Sequence, residues 1–404
     1  MGEDNNHFLI GINYWPRESA MYWWSRFDPS IVMRDFSVMA EYRVQVVRIF
    51  LMWEDFQPEI SRVSVTALNH LVSVADSAYD AKIRLLPTFF TGHMSGLNWL
   101  PGWMVESSGG EERFPIFSAG EIRKGSIRNI YEDREVWKAQ KRLIHETTNA
   151  LQGHSAVWGW DLGNEPSNLV LPPSRDAARG WLEEMVTELK RWEEDLPVTL
   201  GLHQEDLEED RNLGPGEAAQ FCDILSMHAY PGYATWADGL LDDKASLFLS
   251  LVTQWLGEKT VLLEEFGVPT QPALEIFDRD EQKRLGRIVL VSEDDGEEYS
   301  RRVLELLKIY GFLGGFVWCF SDYDPALWDI PPLNDRIYER FYGLFRWDGT
   351  PKAAAKMISH ASYESNSKEL SLEWIDIDRR DYYERPLAHL EHLYGNFRDR
   401  FQEV

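Results

Sequence analysis

Cysteine is nearly absent from this sequence: two residues in 404, Cys222 and Cys319, each in or beside an apolar, strand-like run where a free thiol behaves as a small hydrophobe. That scarcity excludes a disulfide framework, and with no His-x-His pair or Cys/His ligand spacing it gives no support to a zinc site. Positive charge is also short. The 41 lysines and arginines face 67 aspartates and glutamates, a formal charge of −26, which argues against nucleic acid or an anionic membrane as partner. The acidic clusters at 204–210 and 293–298 read as solvated surface. No apolar run reaches membrane-spanning length, and residues 1–7 lack a basic leader pattern, so the expected location is cytoplasmic unless a leader has been removed. There is no low-complexity linker and no internal repeat beyond the alternation described next.

What is present is a regular alternation of apolar strand-length runs and helical periodicities. Strands are predicted at 8–14, 44–50, 83–90, 156–165, 198–202, 223–231, 260–267 and 313–320, nearly all separated by helix signals such as Asp28-Pro29, an N-cap followed by a first-turn proline. Eight buried strands alternating with helices imply a parallel sheet closed as a (β/α)8 TIM barrel. With 44% hydrophobic residues the chain can bury one large core. The barrel is assigned to 1–362. Residues 363–404 form a C-terminal extension whose helix, with Leu390, Tyr394, Phe397 and Phe401 on one stripe, packs on the outside. The segment 91–131, carrying His93, Trp99 and Trp103, has no clear periodicity, and a strand-to-helix loop of that length is usually functional.

Two strands end in carboxylates. The run from Ala156 closes at Asn164-Glu165-Pro166, and the run from Thr260 closes at Glu264-Glu265-Phe266-Gly267. In a parallel barrel both ends fall on the same mouth, and two facing carboxylates are what glycoside hydrolysis needs. Side chains alternate along a strand, so Glu264 and Glu265 are expected to face opposite ways, one into the barrel mouth and one toward the wall or a helix, and they compete for the nucleophile role. Arg48, inside a strand run, needs a carboxylate partner or a site to reach. His93, His203 and His228 at strand ends raise the alternative of a metal-dependent barrel hydrolase, which no ligand spacing supports.

Asn164-Glu165-Pro166 after strand four and Glu265-Phe266-Gly267 after strand seven resemble the signatures of clan A retaining glycoside hydrolases, and the chain looks most like family five, the cellulase and β-mannanase or mannosidase group. Arg48 on strand two, His228-Ala229-Tyr230 on strand six, Trp318 on strand eight and the segment Gly343 to Lys352 extend the likeness over residues 8–360. The resemblance implies Glu165 as acid/base and Glu265 as nucleophile, with Glu165 protonated and Glu265 held ionised by Arg48 and Tyr230. Asn164 is placed for the sugar 2-hydroxyl and Trp318 as the floor of the sugar subsite; Arg48, Tyr230, His93, His228, Trp53 and Trp99 complete the expected substrate-binding set. No cofactor or metal is called for. The expected activity is double-displacement hydrolysis of β-1,4-linked mannose-containing poly- or oligosaccharides. The alternatives are a β-1,4-glucan endoglucanase or an exo-β-glycosidase on the same barrel and, in another class, a non-catalytic carbohydrate-binding barrel.

Overall fold

Eight short strands pair in parallel, each with its sequence neighbours, and the last closes on the first. They are β1 (Leu9–Asn13), β2 (Val46–Met52), β3 (Arg84–Thr91), β4 (Trp160–Asn164), β5 (Val198–His203), β6 (Leu225–Ala229), β7 (Val261–Phe266) and β8 (Gly314–Val317). The computed structural model describes residues 7–107, 112–271, 290–361, 368 and 370–401. Among them the intervening helices are α1 (Pro29–Glu41), α2 (Val65–Ala81), α3 (Arg134–Ala150), α4 (Arg175–Lys190), α5 (Pro215–Ala218), α6 (Asp243–Gly257), α7 (Glu293–Ile309) and α8 (Ala353–His360), followed by α9 (Pro386–Arg400). Most of the long helices open on a side-chain cap. Asp28 accepts from the Ser30 amide, and Ser64, Asp133, Ser174, Asp242 and Ser292 do the same for their own first turns. No described helix is long and apolar enough to cross a membrane.

The strands bury both faces. Outward residues such as Ile10, Val47, Leu85 and Leu263 join the helices in the large core, while Leu9, Val46, Leu86, Ile224, Leu262 and Phe316 form a small separate cluster inside the barrel. At the next inward positions the interior turns polar: Asn13, Arg48, Thr88, Asp161, Ser226 and Glu264 are all essentially inaccessible. The apolar plug thus closes the bottom, an ionic layer sits on it, and the carboxy-terminal mouth lies above.

Three parts of the chain differ from the sequence expectation. Strand β4 begins at Trp160; before it, Val157 forms an isolated parallel bridge with Leu85, and Trp158 packs against the apolar plug. The 91–131 segment is built on short pairings, His93–Met94 and Leu97–Trp99 with Ile116–Ser118 and Glu121–Arg123, and Val105–Glu106 with Ser126–Ile127. Strands of two or three residues are too short for a period of two to be read. The third difference concerns Glu264. The register shifts where β7 meets β6, Leu263 facing Met227 and Glu265 facing His228, so Glu264 is an inserted residue. Alternation from inward Leu262 and outward Leu263 points Glu264 into the barrel, and the extra residue turns Glu265 the same way, so both acids meet Arg48 and Glu264 does not face the wall.

The C-terminal helix lies on α6, with Tyr394 and Phe397 against Phe248. Ahead of it, Tyr382 and Tyr383 donate to the backbone carbonyls of Leu207 and Asp206, 2.8 and 3.0 Å, fixing the turn after β5.

Gly201 on β5 leaves the space that the ionic layer occupies. A Cβ there would lie 2.7 Å from the Gly163 carbonyl, 3.0 Å from the Arg48 guanidinium and 3.2 Å from Glu264. Gly201→Ala is expected to lose about 1–3 kcal/mol of stability, read as a lower urea midpoint; an unchanged midpoint would show that the layer can shift aside.

Candidate active site

The mouth of the barrel holds a pocket of about 270 Å³ lined by His93, Asn164, Glu165, His228, Tyr230, Glu265 and Trp318, with further walls from the loops after β3, β5 and β8. Glu165 ends β4 in the left-handed region, φ 49° and ψ 54°, directly before Pro166. A residue preceding proline ordinarily stays extended, so this conformation carries strain of the kind concentrated at functional sites. It lets the carboxylate turn back over the barrel. There Oε1 meets His228 Nδ1 at 2.9 Å, and Oε2 accepts from Asn168 Nδ2, also at 2.9 Å. Glu265, delivered by the β7 bulge, accepts from Arg48 at 2.5 Å and from the Tyr230 hydroxyl at 2.7 Å. Oxygens of Glu165 and Glu265 and a nitrogen of His228 all lie within 4.8 Å of one another. The two carboxylates predicted a hundred positions apart do face each other.

Arg48 does not reach the pocket. It lies beneath, fully buried, with all five N–H donors used: Nε on Thr88 and Asp161, one terminal nitrogen on Asn13 and Glu265, the other on Asp161 and Asn164, with Glu264 at 3.4 Å. Its place is therefore a correction to its expected contact with substrate: it orients the groups that face the ligand. Asn164 does line the pocket. Its Oδ1 is held by Arg48 and its Nδ2 donates to the His93 carbonyl at 3.0 Å, leaving one amide hydrogen for a ligand.

Trp53 and Trp99 are not in the pocket. Trp53 is fully buried, bonded to Gln57 and edge-on to Trp103; Trp99 packs on Tyr22 and Phe117 and donates to the Met94 carbonyl. Each ring gains more by filling the core of the β3 loop than by facing water, and each indole N–H already has an acceptor. Trp103 likewise spends its N–H on the Gln57 carbonyl. Tyr233 and Trp318 do line the site.

Several lining or supporting residues carried no sequence signal that singled them out. Asp161 takes bonds from Arg48, Thr88 and the Gly163 and Gly201 amides; an acid inside an apolar strand run was the available clue. Asn168 is clamped by Arg113 and Arg211, both of which also bind Glu205. Arg336, Tyr338, Glu339 and Tyr342 come from the segment after β8, which has no periodicity to read.

The electrostatics of the site reverse one expectation. Burial opposes charge on His228, but Glu265, Glu165 and Glu264 outweigh it and raise the imidazole to about 10. Burial likewise works against charge on Glu165, yet the His228 hydrogen bond and the neighbouring histidines pull that carboxyl well below its ordinary value. Burial raises Glu265, against His228 and Arg48. At rest the proton expected on Glu165 therefore sits on His228, one hydrogen bond away. Burial pushes His93 down to about 4, leaving it neutral beside Glu165. Glu165, His228 and Glu265 are also spaced as metal ligands could be.

No family model matches the chain, and a search of curated proteins finds no match. Solved structures do resemble it. The GH5_18 protein of Streptomyces cattleya in complex with GlcNAc is 19% identical with a TM-score of 0.77, over 96% of this chain and 90% of that one. A GH5_18 variant from Bifidobacterium longum subsp. longum ATCC 55813, in complex with Manb1-4GlcNAc, is 20% identical with a TM-score of 0.71, over 87% and 77%. The exo-beta-1,4-mannosidase Op5Man5 from Opitutaceae bacterium strain TAV5 is 22% identical with a TM-score of 0.68, over 87% of this chain and 58% of that longer one. These likenesses establish the (β/α)8 fold.

Two outcomes follow from the buried charges. Arg48→Met strands Asp161 without a cation, leaves Glu264 and Glu265 to His228 alone, and is expected to cost about 3–5 kcal/mol, with Asp161→Asn in the same chain recovering part of the loss in denaturant melts. His228 is raised from 6.5 to about 10, so its stabilisation is complete below about 6.5 and is lost as pH climbs toward 10. The stability gap between wild type and His228→Gln should therefore narrow over that range. A gap independent of pH would mean that His228 is not charged.

Proposed function

We propose that this chain is a retaining β-glycoside hydrolase that removes β-linked mannose from short oligosaccharides. The observation that carries the reading is the approach of Glu165 and Glu265 within 4.8 Å across one pocket. Retaining enzymes hold their carboxyl groups about 5–5.5 Å apart, inverting ones about 6.5–9.5 Å, the difference being room for a water. Glu265, steadied by Arg48 and Tyr230, attacks the anomeric carbon while Glu165 protonates the leaving oxygen. The sugar stacks its apolar face on Trp318. The proton starts in the Glu165–His228 hydrogen bond, and glycosylation of Glu265 cancels the charge that most favours the imidazolium. Glu165 can then act as base toward the water that releases the sugar.

Mannose is preferred over glucose because the solved structures of like fold include an exo-beta-1,4-mannosidase and a protein holding Manb1-4GlcNAc. Exo action is favoured over endo because a pocket of about 270 Å³, walled by the β3 and β8 loops, is near the small end of ligand sites at about 300–1,000 Å³. A glucan endoglucanase would need an open groove. A non-catalytic sugar-binding barrel is disfavoured by two opposed carboxylates with a proton between them.

The test is hydrolysis of aryl β-mannoside and β-glucoside with product anomers followed by NMR. Wild type should release the β-anomer first and favour mannoside. Glu265→Ala should fall to background, and Glu165→Ala should lose about 10²–10⁴-fold on poor leaving groups and much less on activated ones. An α-anomer as first product would refute retention, and equal rates for wild type and Glu265→Ala would refute the nucleophile.

A further inference from the structure

One carboxyl in the pocket has no part in the chemistry above. Glu339 lies in the turn Ile337–Phe341 after β8 and lines the pocket, 8% exposed. Ser95, from the loop after β3, donates its hydroxyl to Glu339 Oε2 at 3.1 Å, and Trp318, which lines the same pocket, favours the charged form of this carboxyl. Arg336 packs over Gly96 next to this contact. Glu339 therefore shares the pocket wall with the ring on which the sugar would lie, where the β3 and β8 loops meet.

The two ends of the pocket are chemically distinct. Glu165 would protonate the leaving oxygen, so its neighbours Asn168, Arg113 and Glu205 mark the side on which the leaving group departs. The Ser95–Glu339–Trp318 contact is the boundary of the side that holds the sugar being released. A loop clasp could be made with neutral groups. A carboxyl kept in a buried, sugar-sized space, held by the Ser95 hydroxyl with Arg336 as a nearby favourable charge, retains lone pairs for a further donor. Burial and the Glu265 charge push it up to about 7, against Ser95, Trp318 and Arg336. Near neutrality it can thus both accept from and donate to a hydroxyl, which suits an uncharged polyol.

We propose that Glu339 is a specificity-determining residue: its carboxyl hydrogen-bonds a hydroxyl at C3, C4 or C6 of the sugar seated over Trp318, so that the pocket reads the unsubstituted, non-reducing terminal residue. This rests on the β-glycosidase reading given above. A site built to bond a hydroxyl penalises the analogue lacking it, because its own polar group is left buried and unpaired.

The test pairs substrate and protein deletions. Aryl β-mannoside and its 3-, 4- and 6-deoxy forms are compared in wild type, Glu339→Ala and Ser95→Ala. In wild type one deoxy substrate should lose about 10–100-fold in kcat/KM. Glu339→Ala should lose a similar factor on the parent glycoside and no longer distinguish that deoxy form from it. Ser95→Ala breaks the same loop clasp and should keep the discrimination, which separates recognition from loop support. Equal discrimination in wild type and Glu339→Ala overturns the proposal. If Glu339→Ala does not fold, the wild-type series still decides, since no deoxy position costing more than about threefold also overturns it. A wild type that hydrolyses none of these glycosides overturns the glycosidase reading and this one with it, whereas active wild type with unchanged discrimination overturns only the role of Glu339.

Discussion

The guanidinium of Arg48 is the constraint on which the site depends. It joins β1, β2, β3, β4 and β7 through Asn13, its own strand, Thr88, Asp161 with Asn164, and Glu265. Burying this cation costs several kcal/mol unless every donor is met and the charge is balanced. Both conditions hold only because the interior is built around it: Gly201 contributes no side chain, Thr88 and Asn13 are small and polar, and an apolar plug seals the bottom. The groups facing the pocket inherit their positions from a residue that never enters it.

Charge balance also sets where the protons are. Asp161, Glu264, Glu265 and Glu165 gather around two cations, Arg48 and His228. His228 is caught between three of these acids, and that is why it, rather than Glu165, holds the proton at rest. A resemblance to enzymes with a protonated acid and an ionised nucleophile implied a fixed assignment to each residue. The structure distributes it over a hydrogen-bonded set, within which a short shift restores the reactive form.

The barrel was legible because its signals are repeated and one-dimensional: eight apolar runs, caps such as Asp28-Pro29, and two runs closing in acids. That Glu165 and the Glu264–Glu265 pair share one mouth follows from this, since parallel strands end on one face; the choice of Glu265 came from the family resemblance. Trp53 and Trp99 were misplaced because an aromatic just past a strand end or on a long loop reads the same whether it walls a cleft or fills the adjoining core. Glu264 was turned the wrong way because a bulge adds one residue without any compositional mark. Asp161 was passed over inside a strand whose end drew the attention. Glu339 lies in a stretch of turns where position in space has no periodic trace, and only the meeting of the β3 and β8 loops brings it to the sugar.

The bulge on β7 has an effect on how function can be dissected. Neighbouring acids in the chain become upper and lower storeys of one shaft: Glu265 open to the pocket, Glu264 sealed below, bonded to His228 and close to Arg48. On the proposed mechanism, neutralising either would abolish turnover, one by deleting the attacking group and the other by loosening its foundation. Activity measurements alone would give both the same rank, so only a sugar left covalently attached, and located by peptide mass, distinguishes the storey that reacts from the storey that supports.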